Sequence, residues 1–134
     1  MPVTALSQSL AQSRIDRYAV DPADVGKWAP YVPHMTFNAG IQYRHLITDS
    51  IGWVTRLDYR LLGKQYWDTE NSTARDPVHL VGLSLGLEGN NGRWSASVRA
   101  DNLFDRKYNA EYVAGGYVEP AVPRVIRGTV RVSF

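Results

Sequence analysis

The sequence contains no cysteine, which excludes a disulfide scaffold, a thiolate zinc site and a cysteine nucleophile. No uninterrupted run of about 18 apolar residues occurs, so the sequence predicts no transmembrane helix. Residues 1–20 have neither the basic start nor the apolar segment of a secretion signal. The sequence also has little excess of either sign of charge. The 15 Lys and Arg against 13 Asp and Glu give a net charge of +2, too small an excess to argue for nucleic acid.

What remains is a chain of 134 residues, 44% of them hydrophobic, which suits one folded unit and excludes a disordered tail. Two classes fit these numbers, a soluble globular domain and a transmembrane β-barrel. Barrel strands give only a weak average hydropathy signal, so composition alone does not separate the two classes.

Five segments alternate apolar and polar side chains with a period of two residues, the pattern of a strand with one apolar face. In residues 34–47, for example, Phe37 and Ile41 lie on one side and Asn38 and Gln42 on the other. The other four segments are residues 52–65, 78–88, 93–103 and 124–134. Soluble strands usually have about 5 or 6 residues, whereas a tilted strand needs about 9 to 11 to cross a bilayer. The length of these segments therefore favours a membrane.

The connections between these segments alternate in length. Residues 48–51 and 89–92 are short, whereas residues 66–77, residues 105–123 and the stretch before residue 34 are long. Long external loops and short periplasmic turns are typical of outer-membrane barrels. The sequence thus predicts an all-β fold, an antiparallel up-and-down meander of about five long strands, as a C-terminal segment of a transmembrane β-barrel. We assign residues 22–134 to these strands. Residues 1–21 are a poorly defined N-terminal segment that fits a frayed strand, a loop or a short helix.

Charged residues lie mainly on the polar faces of the five segments, with His45 as a titratable exception on the apolar faces. A lipid-facing Arg or Lys costs about 2 to 4 kcal/mol, so a membrane barrel requires this segregation. A soluble sandwich would also segregate its charged residues, so the pattern does not decide between the two. Aromatic residues lie towards both ends of the strands, as in interfacial girdles, although they also suit ordinary packing. They are Tyr43, Trp53 and Trp94 near the short turns and Tyr59 and Tyr66 near the long loops.

The segment Asn102-Leu103-Phe104-Asp105, followed by Tyr108, resembles the N-L-F-D-x-x-Y motif of TonB-dependent outer-membrane receptors. In that family a loop, a Pro-Arg pair and a last strand ending in Phe follow the motif. Here Pro123-Arg124 opens the last segment and Phe134 ends it. Residues 31–34, before the first long segment, are similar to the family's proline-containing strand entry. The resemblance covers about residues 22–134.

The resemblance implies an outer-membrane location in a Gram-negative bacterium and a barrel of about 22 strands around a plug domain. It also implies uptake of ferric siderophores or similarly scarce nutrients, with outer-membrane lipid, the TonB system and the plug as partners. Val130, Val132 and Phe134 resemble the C-terminal signal read by the outer-membrane assembly machinery. Five strands do not close such a barrel, and the chain carries no plug domain or TonB box. We therefore expect a barrel fragment that does not transport on its own.

The polar faces carry eight Lys or Arg and three carboxylates. One hypothesis is an inward basic wall facing an acidic partner, either a plug surface or an anionic ligand. The alternative is a set of solvated lumen residues neutralised by other strands. The arginines of this wall are Arg44, Arg56, Arg60, Arg99, Arg127 and Arg131.

The long loops contain aromatic residues that can stack on an aromatic siderophore or pack within the loops, namely Trp67, Tyr108, Tyr112 and Tyr117. We find no catalytic constellation, expect no cofactor, and do not expect an enzyme. His34, His45 and His79 have no metal-ligand spacing. The alternative function is a soluble β-barrel module that binds a small ligand or single-stranded nucleic acid. The sequence does not predict a complete small membrane barrel, because such a barrel needs about eight strands and only about five are predicted.

Overall fold

A computed structural model describes residues 5–12, 14–89, 91–113 and 115–134. Within these residues the regular structure is β, apart from a 3₁₀ turn at Pro22–Asp24. The strands in chain order are β1 (Ala5–Gln12), β2 (Met35–Thr48), β3 (Ile51–Leu62), β4 (Gln65–Tyr66), β5 (Ala74–Arg75), β6 (Val78–Gly89), β7 (Trp94–Asp101), β8 (Asn109–Val113), β9 (Tyr117–Pro120) and β10 (Val125–Val132).

The main feature of the fold is a six-stranded antiparallel sheet with the spatial order β1-β2-β3-β6-β7-β10. Neighbours in this sheet follow one another along the chain, so the predicted all-β up-and-down meander is confirmed. Two short hairpins, β4–β5 and β8–β9, lie in two of the long connections. The five predicted long strands correspond to β2, β3, β6, β7 and β10.

The sixth strand, β1, lies in the region whose structure the sequence left open. It pairs with β2 along its whole length, from Ala5 opposite Gln42 to Gln12 opposite Met35. The long connection that follows contains the 3₁₀ turn, which begins after Asp21. The Asp21 side chain accepts a hydrogen bond from the amide of Ala23, at 2.9 Å.

Three strands end earlier than the alternation predicts. β3 ends at Leu62, although the amide of the next residue, Gly63, still donates to the carbonyl of Met35 at the start of β2, at 2.7 Å. β7 ends at Asp101 because Asn102 has a φ of 52°, a left-handed conformation that a strand does not accommodate. β10 ends at Val132, so Phe134 follows the strand.

The two short turns have the hydrogen bonds and backbone angles that their residues predict. In the β2–β3 turn the Thr48 hydroxyl accepts hydrogen bonds from the amides of Ser50 and Ile51, at 3.3 and 3.1 Å. In the β6–β7 turn Asn91 and Gly92 have φ values of 56° and 86°, which Asn and Gly tolerate best. Asn90 of the predicted turn lies outside the described residues.

No described part of the chain forms a layer over the apolar face of the sheet. Among the described side chains, the buried hydrophobic ones are Trp67 and Val78, and neither lies at the centre of the sheet. Val98, Ile126 and Val130 on the apolar face are 55%, 65% and 77% exposed. A soluble sandwich would bury such residues against a second layer. In the described part of the chain, no helix has the length and apolar content needed to cross a membrane.

Candidate functional site

The register of the six strands sorts the side chains into two opposite faces. One continuous cross-strand row contains Ile41, Leu57, Leu83, Ala100 and Ile126. The adjacent row on the other face contains Gln42, Arg56, Ser84, Arg99 and Arg127. The apolar and polar alternations of the separate strands therefore coincide across the sheet and give it one apolar face and one charged face.

Aromatic side chains border the apolar face at both ends. Near the long loops, Phe37 packs against Tyr59 with ring centroids 6.2 Å apart, and the Tyr59 hydroxyl lies 2.7 Å from His79 Nδ1. Near the short turns, the Trp94 ring covers Gly89, where a Cβ atom would collide with it. His79 and Gly89 are ten residues apart on β6, about 33 Å along the strand. At a tilt of about 45°, this spans about 23 Å, close to the apolar band of outer-membrane barrels.

The charged face carries a chain of alternating ion pairs, which we term the ionic ladder. It consists of Arg56, Asp58, Arg99, Asp101 and Arg127. Asp58 lies 2.7 Å from Arg56 and 3.3 Å from Arg99, and Asp101 lies 2.8 Å from Arg99 and 3.2 Å from Arg127. These groups are partly solvated, so each pair contributes at most about 1 kcal/mol. The ladder links β3, β7 and β10 across the charged face.

The ladder crosses β6 at the point where the residues of that strand on the charged face are small. Gly82 lies opposite Asp58, and Ser84 lies between Arg56 and Arg99. A Cβ atom at Gly82 would already be 3.6 Å from Arg99 Nη2 and 3.7 Å from Asp58 Cβ. A larger side chain there would occupy the space in which the Arg99 guanidinium reaches Asp58.

All six arginines of the predicted basic wall lie on this charged face, and the ladder includes three of them. Arg44 pairs with Glu88, with Nε and Oε1 3.2 Å apart. The three carboxylates of the face, Asp58, Glu88 and Asp101, are thus all paired with arginines of the same chain. Arg60 and Arg131 have no carboxylate within 4.0 Å in the described part of the chain, so the face keeps a positive excess.

A groove of about 810 Å³ lies on the charged face towards the long-loop end. Arg56 and Arg60 line it from β3, and Arg99 and Arg127 line it from β7 and β10. Gly82 of β6 also contributes to the lining. The other lining residues are Asn38, Ala39, Asp58, Tyr59, Leu80, Val81, Asp101, Asn102, Tyr108, Val122, Pro123 and Val125.

The N-L-F-D motif forms a structural clasp at the base of the last long loop. Asn102 Oδ1 accepts from the amide of Arg106 at 2.9 Å, and Asn102 Nδ2 donates to the carbonyls of Arg106 at 3.0 Å and Val122 at 3.4 Å. Asp105 Oδ1 accepts from the amide of Arg124 at 2.9 Å. Asn102 and Asp105 have φ values of 52° and 50°, which Asn and Asp tolerate better than most residues. The motif and the Pro-Arg pair therefore meet and join the two ends of the loop.

The other motif residues differ in exposure. The amide of Leu103 donates to the carbonyl of Val81 at 2.8 Å, which anchors the turn to β6. Phe104 is 67% exposed. The Tyr108 ring lies under the guanidinium of Arg75, 5.5 Å from its Cζ atom, and also lines the groove.

A stack of rings and cations, which we term the aromatic column, lies at the long-loop end. It consists of Arg14, Trp28, His34, Tyr66 and Lys64. The rings of Trp28 and His34 are stacked at 3.8 Å, the His34 and Tyr66 centroids are 5.1 Å apart, and the two cations cover the outer rings at 4.5 and 5.0 Å. His34 Nε2 is buried and has no hydrogen-bond partner among the residues that the structure describes. Burial and the charges of Lys64 and Arg14 lower the pKa of His34.

The loop between β4 and β5 is closed by two polar side chains. Asn71 pairs with the backbone of Trp28 through two hydrogen bonds of 2.9 and 3.0 Å. Asp68 accepts bonds from the amides and hydroxyls of Ser72 and Thr73. Burial alone would raise the pKa of Asp68, but the bonds from Thr73 and Ser72 outweigh it and lower the pKa to about 2.

The four predicted ligand-contact aromatics differ in accessibility. Trp67 is 8% exposed, and its ring lies 5.9 Å from that of Tyr31. Tyr31 also donates through its hydroxyl to the carbonyl of Tyr112, at 3.2 Å, so three loops meet around it. Tyr117, at the tip of the β8–β9 hairpin, is 76% exposed. Tyr112 is half-buried, and Tyr108 lies lower, at the groove.

Val130 and Val132 of the predicted assembly signal lie on the apolar face, 77% and 55% exposed. Phe134 is fully exposed after the end of β10. The three histidines do not converge, and the described residues contain no group of three or more His, Cys, Asp and Glu residues placed to hold a metal ion. Sequence reasoning missed the ionic ladder and the aromatic column, since both depend on contacts between distant segments.

Comparisons with known proteins give a family match. The family model described as TonB dependent receptor-like, beta-barrel, matches residues 5–103. Pesticin receptors of Yersinia enterocolitica and Yersinia pestis are 33% identical to the chain over 84 residues. The match covers 62% of this chain and 12% of each receptor, so the chain spans only a small part of these relatives. No solved structure matches at comparable significance.

Proposed function

The chain belongs to the β-barrel family of TonB-dependent receptors, which lie in the outer membrane of Gram-negative bacteria, and we propose that it forms part of the wall of a receptor that imports ferric siderophores or similarly scarce nutrients. The observation that carries the proposal is the division of the sheet into a charge-free apolar face and a charged, grooved face. The apolar face meets lipid acyl chains and the charged face lines a hydrated interior.

The partners follow from the same assignment. The TonB system supplies energy from the periplasm and a plug domain fills the barrel, as in the family. The match is to a receptor and transporter family, not to an enzyme class. The uncovered apolar face disfavours a soluble binding module for a small ligand or nucleic acid, since such a module would expose its apolar residues to water.

The orientation places the long loops outside and the short turns on the periplasmic side. The β8–β9 hairpin then presents Tyr117 to the medium, with Tyr112 and Tyr108 below it, towards the groove. These rings are the ones available for stacking on an aromatic siderophore, whereas Trp67 supports the loop base. We assign β10, with Val130, Val132 and Phe134, to recognition by the outer-membrane assembly machinery.

Uptake by cells tests this function. Deletion of the gene should lower the uptake of radiolabelled iron from at least one siderophore under iron limitation, and the wild-type gene should restore it. The Tyr117→Ala and Tyr112→Ala variants should raise the half-saturating concentration about 3- to 10-fold, because a stacking contact contributes about 1 kcal/mol. Phe104→Ala, which removes an exposed ring at the loop base, is the matched control. Unchanged uptake of every siderophore tested in the deletion strain would refute the proposal.

The assignment of the C-terminal signal has its own test. Phe134→Ala should reduce the amount of receptor in the outer membrane several-fold, measured by immunoblotting of membrane fractions. Ser133→Ala, one residue away, is the control and should leave that amount unchanged.

A further inference from the structure

The aromatic column holds the first long loop (residues 14–34) against the segment that follows β3. The His34 ring lies at the centre of the column, with its centroid 3.8 Å from that of Trp28 in the loop and 5.1 Å from that of Tyr66 in β4. The backbone amide of His34 donates to the carbonyl of Lys64 at 2.7 Å. The loop thus contacts β4 through the His34 ring, and the charge of this ring affects how firmly the loop is held.

The centre of the column is an unfavourable place for a positive charge. His34 Nε2 is buried and has no hydrogen-bond partner in the described part of the chain, so a proton added there would lack an acceptor. The charged groups that act on His34 are both cations, Arg14 from the loop and Lys64 from the segment after β3. They lie over the rings of Trp28 and Tyr66, at 4.5 and 5.0 Å from the centroids, so each neighbouring ring already has a cation. The Tyr66 phenol is the other ionisable group in contact with the imidazole. The site therefore suits a neutral imidazole better than an imidazolium.

Tyr31, three residues before His34, connects the column to two other loops. Its φ of 62° is a left-handed conformation, which is costly for a residue with a large side chain. Its amide donates to the carbonyl of Tyr66 at 2.8 Å, its ring lies 5.9 Å from that of Trp67, and its hydroxyl donates to the carbonyl of Tyr112 at 3.2 Å. Release of His34 from its ring neighbours would let Tyr31 relax and give up its contact with the β8–β9 hairpin.

We propose that the aromatic column is a pH-dependent latch on the first long loop, closed while His34 is neutral and opened when His34 gains a proton. In the open form Trp28 and Tyr31 leave their partners, and the β8–β9 hairpin loses its support from the first long loop. This regulation goes beyond the proposed receptor function, because it requires no particular cargo. The alternative is a purely structural stack whose stability does not depend on the protonation of its central ring.

The direction of the pH dependence follows from the closed form. Burial, followed by the charges of Lys64 and Arg14, lowers the pKa of His34 below its ordinary 6.5. A histidine whose pKa is lowered on closing stabilises the closed form fully above pH 6.5, and this stabilisation is lost as the pH falls through the lowered pKa. The latch is therefore closed in neutral medium and opens more readily in mild acid.

Hydrogen exchange measured by mass spectrometry tests the latch on the complete receptor, produced from its native gene and extracted from outer membranes in detergent. Protection factors, corrected for the intrinsic pH dependence of exchange, are compared at pH 7.5 and pH 5.0. The amides of residues 28–34 should lose protection at least about threefold at the lower pH, whereas those of Ser72 and Thr73 should keep theirs. Unchanged protection in residues 28–34, or an equal loss at Ser72 and Thr73, would overturn the proposal.

Three variants separate the proton from the packing. His34→Phe keeps a ring of similar size between the two ring neighbours but takes up no proton, so protection in residues 28–34 should be the same at both pH values. His79→Phe makes the same change at a histidine of β6 outside the column and should keep the wild-type loss. Lys64→Met retains His34 and removes one repelling charge, so its loss should be smaller than in the wild type.

The variants also define the outcomes that contradict the latch. A loss in His34→Phe equal to that of the wild type would leave a purely structural stack and overturn the proposal, as would disappearance of the loss in His79→Phe. If His34→Phe does not reach the outer membrane, Lys64→Met decides, because an undiminished loss in that variant would overturn the electrostatic basis of the latch.

Discussion

At the residue scale, the side chains of Asn102 and Asp105 explain why this part of the family motif has polar residues at a loop base. Each adopts a left-handed conformation and accepts a hydrogen bond from a backbone amide beyond the turn. Together they join the end of β7 to the start of β10 and enclose the β8–β9 hairpin between them. Their role in this structure is to set the geometry of the loop that carries the rings we propose for ligand contact.

Asn102→Ala should loosen this loop. It removes three hydrogen bonds and the residue type best suited to the backbone conformation, so we expect local opening to become easier by about 1 to 2 kcal/mol. Amide exchange in residues 106–122 of the detergent-extracted receptor should become about tenfold faster, measured by mass spectrometry. Phe104→Ala is the control and should leave these rates unchanged. Equal rates in the two variants would contradict the clasp.

The carboxylate of Asp68 gives a second residue-scale prediction. Its pKa of about 2, against an ordinary 3.8, means that the ionised form stabilises the closed loop. That stabilisation is complete above about pH 3.8 and is lost as the pH falls towards 2. The amides of Ser72 and Thr73 should therefore keep their exchange protection at pH 5 and lose it in Asp68→Ala, whereas Glu70→Ala should keep it. Protection that persists in Asp68→Ala would refute this account of the loop.

At the element scale, the residues of β6 fit the ionic ladder that crosses over this strand. Its apolar face has large residues such as Leu83 and Leu85, while its charged face has Gly82, Ser84 and Gly86. The small residues leave space for Arg99 to reach Asp58 from the other side of the strand. The alternation of β6 thus serves both lipid contact and the ionic ladder.

Gly82→Leu tests this role of β6. We expect the added side chain to separate Arg99 from Asp58 and to lower the free energy of unfolding in detergent by about 1 kcal/mol, measured by tryptophan fluorescence in guanidinium chloride. Gly82→Ala is the control, since its methyl group meets its neighbours at ordinary contact distance, and we expect a change below about 0.5 kcal/mol. Equal stability of the Gly82→Leu and Gly82→Ala variants would contradict the passage of the ionic ladder over β6.

Sequence reasoning identified β2, β3, β6, β7 and β10 because an alternating pattern is a local signal that one apolar face imposes on each strand. It did not resolve β1, where Ser7, Gln8 and Ser9 give little contrast between faces and pairing with β2 defines the strand. The six arginines were placed on one face for the same reason. Their partners were not foreseen, because Asp58 and Arg99 meet only through the register of three strands.

At the scale of the whole molecule, the exposed apolar face decides how the protein behaves in water. Val98, Ile126 and Val130 belong to a surface that no described part of the chain covers, and such a surface drives association unless lipid or detergent covers it.

We therefore expect the 134-residue chain, expressed alone, to aggregate or to require detergent, as sedimentation of cell extracts and size-exclusion chromatography would measure. Addition of a detergent above its critical micelle concentration should recover dispersed protein. A monomeric protein that stays in solution without detergent and melts cooperatively would contradict the membrane assignment of the apolar face.

Within the described residues, β1 pairs only with β2, and β10 pairs only with β7. Along the outer side of each of these two strands, the main-chain N–H and C=O groups have no partner strand in the described part of the chain. Each unpaired group costs several kcal/mol in hydrocarbon. Over the eight residues of β10, that penalty exceeds the stability of a typical domain, about 5 to 15 kcal/mol. We therefore expect further strands to dock on both margins before lipid closes around the sheet, so that insertion and pairing form a single coupled event.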